Sequence, residues 1–184
     1  PLRLVGSEMC IRDRSKGDVV RIATDASSDT VFKGSMCFVA GNGDYRLRTR
    51  ETKASTDELE LEALTLALKY LLKVGARKAV IESDSVAALE AVEQIVHKRG
   101  SKASRPGRTW RGVSSGARSR FQQAWGDIQG QCEVDIRRVL GHAGDPLNRA
   151  ADQIAYMGLR AIAHPMKQSR ETLREGIQKA LLAL

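Results

Sequence analysis

The sequence predicts an α/β fold in which a five-stranded mixed sheet, three antiparallel strands followed by two parallel ones, is flanked by helices. Three observations lead there. Short β-branched or apolar runs follow one another through residue 52, separated only by turn-forming clusters. A leucine-rich stretch with helical spacing begins at residue 56. Two further short strand-like runs come later, each leading into an amphipathic stretch, which is the pattern of strand–helix crossovers.

Taken in order, Pro1–Gly17 carries no usable periodicity and reads as an unstructured leader. Its string Ser7–Arg14 resembles a translated sequencing adapter, which leaves open whether residues 1–14 are native. Asp18–Thr24 is rich in β-branched residues and reads as a buried strand ended by Asp25 and two serines. Gly34–Ala40 is a second strand, Gly41-Asn42-Gly43-Asp44 a hairpin signal, and Tyr45–Thr52 the returning strand. Thr56–Leu72 is the clearest helix, with Ser55 and Thr56 as N-cap candidates, Glu58 placed for a capping box and Gly75 just beyond its end. Lys78–Ile81 is a short buried strand and Ser85–Val96 a second helix. A basic segment, a short helix around Ser119–Gln129, the strand Cys132–Leu140 and a turn at Gly141–Gly144 come next. A third long helix spans Leu147–Ala163, with Pro146 near its first turn. Ser169–Leu184 sets Leu173, Ile177, Ala180, Leu181 and Leu184 on one helical face, a stripe suited to packing or partner binding rather than catalysis. The organisation is one domain over residues 18–164 with a basic insertion over 97–120, then a C-terminal amphipathic helix or tail over 165–184.

Composition narrows the function classes. The 184 residues are 42% hydrophobic and 28% charged. No apolar run approaches the roughly 18 residues of a membrane span, and no secretory signal pattern is visible. The three cysteines, Cys10, Cys37 and Cys132, lack CxxC spacing and read as reduced thiols of a cytoplasmic protein, expected to be a monomer. The net charge of +8 is concentrated in His97–Arg120, which contains Lys98, Arg99, Lys102, Arg105, Arg108, Arg111, Arg118 and Arg120 and no acid. Such a block points to a polyanion gripped locally; the competing reading is a solvated loop without a ligand.

Four acids stand at strand ends or on helices. In isolation Asp25 reads as a turn former, Asp84 as an N-cap, Glu60 as a carboxylate favoured by a helix dipole, and Asp152 as a surface acid. In the predicted topology the first strand is central and pairs in parallel with Lys78–Ile81. Asp25 and Asp84 then emerge at one sheet edge, with Glu60 and Asp152 arriving from covering helices. Carboxylates that converge repel one another and raise each other's pKa unless cations neutralise them. An all-oxygen donor set suits Mg²⁺ or Mn²⁺.

These residues lie in motifs that resemble the ordered motifs of type 1 ribonuclease H: Thr24-Asp25-Ala26-Ser27, Glu60-Leu61-Glu62-Ala63, Ser83-Asp84-Ser85, and Gly141-His142-Ala143-Gly144 continuing to Asp152. The resemblance covers roughly Val19–Ala163, and the Gly-His-Ala-Gly turn followed by Pro146, Asn148 and Asp152 is its most specific part. It implies a ribonuclease H-like fold and an endoribonuclease that hydrolyses the RNA strand of RNA–DNA hybrids with Mg²⁺. It further implies two-metal catalysis leaving a 3′-hydroxyl and a 5′-phosphate, with metal ligation by Asp25, Glu60, Asp84 and Asp152. His142 would assist proton transfer or product departure. Glu60 is preferred to Glu58 and Glu62 because the family's glutamate precedes the matching alanine, here Ala63, by three positions.

Hybrid recognition is expected near Ser27, Ser28, Ser55 and Thr56, where small polar groups can sense a 2′-hydroxyl. The basic segment adds Lys98, Arg99, Lys102, Arg105, Arg108, Trp110 and Arg111 against the phosphates. The chain departs from the family at Ala26, where glycine is common, at Thr56 and Asp57, where asparagines often stand, and at Arg138-Val139-Leu140 before the His turn. The alternatives are a catalytically inactive RNA- or hybrid-binding module and a DNA-directed nuclease of the same fold.

Overall fold

The structure, a computed structural model, describes residues 3–5, 19–29, 32–51, 53–97, 113–140 and 144–184. Its strands are β1 (Arg3–Val5), β2 (Val20–Ser28), β3 (Lys33–Ala40), β4 (Tyr45–Glu51), β5 (Lys78–Ser83) and β6 (Glu133–Arg138). Its helices are α1 (Thr56–Val74), α2 (Val86–His97), α3 (Ser115–Ile128), α4 (Pro146–Ala163) and α5 (Arg170–Leu181). The sheet order is β1-β4-β3-β2-β5-β6. The β2–β3 and β3–β4 pairs are antiparallel; β2–β5 and β5–β6 are parallel. This is the predicted five-stranded arrangement with one addition. Arg3–Val5, expected to be unstructured, pairs antiparallel with β4 at Arg46–Arg48 and adds a short sixth strand at that edge.

Local chemistry sets the boundaries. Ser55 caps α1 by accepting from the Glu58 amide at 3.1 Å, and Gly75 ends it in the left-handed region (φ 64°), donating to the Leu71 and Leu72 carbonyls. The Glu58 carboxylate also accepts from the Ser114 amide at 2.7 Å and ties α1 to the start of α3. At the β3–β4 hairpin Gly43 (φ 85°) donates to Ala40 at 2.9 Å, with Asn42 and Asp44 bonded across the turn. The first core strand does not stop at Asp25. It runs on to Ser28, because Asp25, Ala26 and Ser27 keep register with Cys37, Met36 and Ser35.

Two apolar clusters sandwich the sheet. On one face Ile22, Met36, Phe38 and Ile81 meet Leu61, Leu64, Leu68 and Phe121 of α1 and α3, with Ala88 and Ala91 of α2. On the other, Ala23, Cys37, Val39 and Leu47 meet Leu147, Ala151, Ile154 and Ala155 of α4, with Leu173 and Ile177 of α5 behind. The C-terminal stripe is thus a packing face, as expected. Two donors on β3 fasten α4 to the sheet: Cys37 Sγ to the Ala151 carbonyl at 3.1 Å and Ser35 Oγ to the Ala155 carbonyl. Gly158 allows the close approach, since a Cβ there would meet Leu47 Cδ1 at 2.7 Å.

Candidate metal centre

Three of the four acids converge. Asp25 on β2, Glu60 on α1 and Asp84 just beyond β5 each place a carboxylate oxygen within 4.8 Å of the others. The topology explains how. Asp25 belongs to the sheet face that α4 covers and Glu60 to a helix on the opposite face, but Glu60 reaches around the strand, where its Oε1 accepts from the Ala26 amide at 3.1 Å. Asp84 is not needed as a cap, because Ser85 takes that role for α2, its Oγ accepting from the Ala88 amide at 3.2 Å. Neither neighbouring glutamate competes with Glu60. Glu58 holds Ser114, and Glu62 is ion-paired with Arg50 at 2.7 Å and with Arg120.

The electrostatics are those of a site built for a cation. Burial, followed by the charges of Asp84 and Asp152, raises Asp25 from 3.8 to about 7. Burial, followed by Asp25 and Asp84, holds Glu60 well above the usual carboxylate range. Glu60 Oε2 is buried and receives no hydrogen bond among the described residues. A buried acceptor without a donor costs free energy that a bound cation would recover. Carboxylate oxygens alone are a donor set for a hard divalent ion, so these residues fit one.

Asp152 stands apart from this trio. It is exposed on α4, and its charge reaches Asp25 without its oxygens joining the three. Ser27 and Ser28 continue β2 past Asp25, and Ser28 Oγ meets Thr56 Oγ1 at 2.7 Å, joining the strand end to the start of α1. Ser55 is committed to its cap. His142, and Lys98, Arg99, Lys102, Arg105, Arg108, Trp110 and Arg111 of the basic segment, lie outside the described residues.

A charged network beside the site was not foreseen. Glu82, 2% exposed on β5, accepts from Arg21 at 2.8 Å and from Arg137 at 2.6 and 3.1 Å. Arg21 also reaches Asp145 at 2.9 Å. Asp145 caps α4 by accepting from the Leu147 and Asn148 amides. Burial alone would raise Asp145, but the Arg21 bond and the two amides outweigh it and hold it below its ordinary value. One guanidinium thus ties together the elements that carry Asp25, Asp84 and Asp152. The signal in the sequence was an arginine and a glutamate interrupting otherwise apolar strands, Val20–Thr24 and Ala79–Ser83.

The RNase H family model matches residues 17–160, most of the chain. The chain belongs to the RNase H family. No curated protein matches it. Membership supports nuclease activity on RNA–DNA hybrids and dependence on a divalent metal, for which the acidic trio is a candidate seat. Among the described residues no helix of this RNase H domain is long and apolar enough to cross a membrane.

Proposed function

We propose that this RNase H protein is a type 1 endoribonuclease that cuts the RNA strand of RNA–DNA hybrids, leaving a 3′-hydroxyl and a 5′-phosphate. The observation that carries the reading is the meeting of the Asp25, Glu60 and Asp84 carboxylates within 4.8 Å of one another, with Glu60 Oε2 buried and lacking a donor among the described residues. Asp25, Glu60, Asp84 and Asp152 hold Mg²⁺, or Mn²⁺ in its place. Two such ions, when bound, neutralise charge on the attacking and leaving oxygens of an in-line displacement.

The protein's own groups do the rest. Asp25, on the central strand, would hold the ions together with Glu60 and Asp84, and Asp152 would add its carboxylate from α4. His142 moves a proton at the departing product. Ser27, Ser28 and Thr56 line the approach for the ribose 2′-hydroxyl, with Ser55 fixing the backbone beneath them. The basic segment holds phosphates of the duplex. The protein acts as a monomer in the cytoplasm.

The test is a labelled RNA–DNA hybrid, a DNA duplex and an RNA duplex incubated with Mg²⁺ and then with EDTA. Hybrid-only cutting that EDTA abolishes is the expected result. Asp25→Asn is expected to lower turnover at least a thousandfold while hybrid binding persists, roughly 4 kcal/mol or more of lost transition-state stabilisation. Binding without cutting by the wild type would instead make the chain a hybrid-binding module, and cutting of the DNA duplex a DNA-directed nuclease.

A further inference from the structure

A groove of about 560 Å³ lies between the β2–β3 turn and the last turns of α4, lined by Asp29, Lys33, Tyr156, Arg160 and His164 among others. We infer that this groove is a phosphate-binding subsite for the strand being cut, several nucleotides away from the scissile bond. The inference rests on the nuclease reading above and adds a contact region to it.

The groove lies where the two elements that carry Asp25 and Asp152 end. On β2, Asp25 and Ser27 alternate onto one face, Asp29 follows the strand's end, and four residues of extended chain cover about 13 Å. On α4, Asp152, Tyr156 and Arg160 are spaced by four residues and all exposed, and eight residues of helix cover about 12 Å. The elements run the same way. Hydrogen bonds from β3 to α4 step from Cys37–Ala151 through Ser35–Ala155 to Lys33–Ile162, and β3 is antiparallel to β2. Strand and helix therefore lead from the acidic site to the groove over nearly equal distances. Phosphates are about 3.4 Å apart along the duplex axis and further apart along the strand itself, so the groove meets phosphates roughly two to four nucleotides from the cut.

The lining suits that ligand. Lys33 and Arg160 are fixed cations, and His164 adds a ring nitrogen donor. Asp29 is engaged in closing the turn, where its Oδ1 accepts from the Lys33 amide at 2.8 Å. Lys33 Nζ is steadied by the Ile162 carbonyl at 3.0 Å. The Arg160 guanidinium lies 5.9 Å above the Tyr156 ring, an arrangement that orients the planar fork while leaving N–H groups to face a phosphate.

The experiment measures hybrid binding in EDTA, where no bond is cut, and steady-state cleavage in Mg²⁺, for wild type, Arg160→Ala, Arg160→Glu and Lys179→Ala. Lys179 is an exposed α5 lysine that controls for the loss of one charge. Arg160→Ala is expected to weaken binding about three- to fivefold, to reduce the salt slope by about 0.9, and to raise KM with kcat unchanged. Arg160→Glu is expected to do more, and Lys179→Ala nothing. Hybrids trimmed to two base pairs beyond the cut are expected to abolish the difference between wild type and Arg160→Ala when trimmed on one side only. Wild-type affinity and salt slope in both Arg160 variants would overturn the subsite, as would an equal effect of Lys179→Ala. A wild type that binds hybrid without cutting it overturns the nuclease reading alone, and the binding data still judge the groove. A wild type that binds no hybrid overturns both.

Discussion

Asp25 holds a carboxyl group where water scarcely reaches and other acids stand close, and its proton affinity is raised to about 7 as a result. An acid whose pKa is higher folded than unfolded binds more protons in the native state. The metal-free protein therefore loses stability as pH rises from about 4 through about 7. The loss is on the order of 4 kcal/mol, or roughly 8–16 °C in Tm for a domain of this size. Thermal melts in EDTA from pH 5 to pH 8 should show Tm falling, and Mg²⁺ or Mn²⁺ at pH 8 should restore it. Asp25→Asn removes the buried charge, so the metal-free variant should melt higher than wild type at pH 8 and respond less to metal. A flat Tm across this range would show that the carboxylates are not under strain. At this scale the sequence was informative about residue type and order, because only acids can serve a hard cation. It was silent on reach: nothing in the spacing of Asp152 shows that it stands outside the trio formed by Asp25, Glu60 and Asp84.

Elements enter through the way they are tied. The Glu82 carboxylate is almost wholly buried, while its partners Arg21 and Arg137 are about half exposed, with side-chain exposures of 48% and 52%. Removing one partner of a buried pair strands the other charge. Glu82→Gln should cost about 1–3 kcal/mol, the lower end reflecting partners that can turn to water. Arg21→Gln leaves the Arg137 pair in place and should cost less in denaturant melts. It should still lower kcat, because it frees Asp145 and with it the start of the helix that carries Asp152. Equal kcat in Arg21→Gln and wild type would show that the tie serves stability alone. The helices and hairpin were readable because caps, glycines and periodicity act within a few residues. The extension of β2 past Asp25 was not, since Ala26, Ser27 and Ser28 are held in a strand by cross-strand partners that local propensity does not record. The edge strand Arg3–Val5 escaped the sequence reading for the same reason.

At the scale of the whole molecule, the positive charge excess and the acidic trio belong to different parts of one chain. Residues 98–112 contain six of the basic side chains, whereas Arg118 and Arg120 sit on α3, where Arg120 pairs with Glu62. Neutralising the segment must therefore stop short of Val113, because Ser114 caps α3 and binds Glu58. Replacing residues 98–112 with a Gly/Ser linker should raise KM for hybrid and flatten its salt dependence, by about 0.9 in slope for each phosphate that is no longer neutralised. Turnover at saturating substrate should be retained, and unchanged binding at low salt would reduce the segment to a spacer. Sheet order carries a last consequence. β2 is bonded on both sides, to β3 and to β5, and β5 in turn to β6, so Asp25 sits on, and Asp84 directly follows, a strand with neighbours on both sides. Fraying at the outer strands leaves them in place. The two acids set by the sheet are then lost only when its interior opens, so inactivation by heat or denaturant should coincide with exchange of the most protected amides, and an earlier loss of activity would trace to α4.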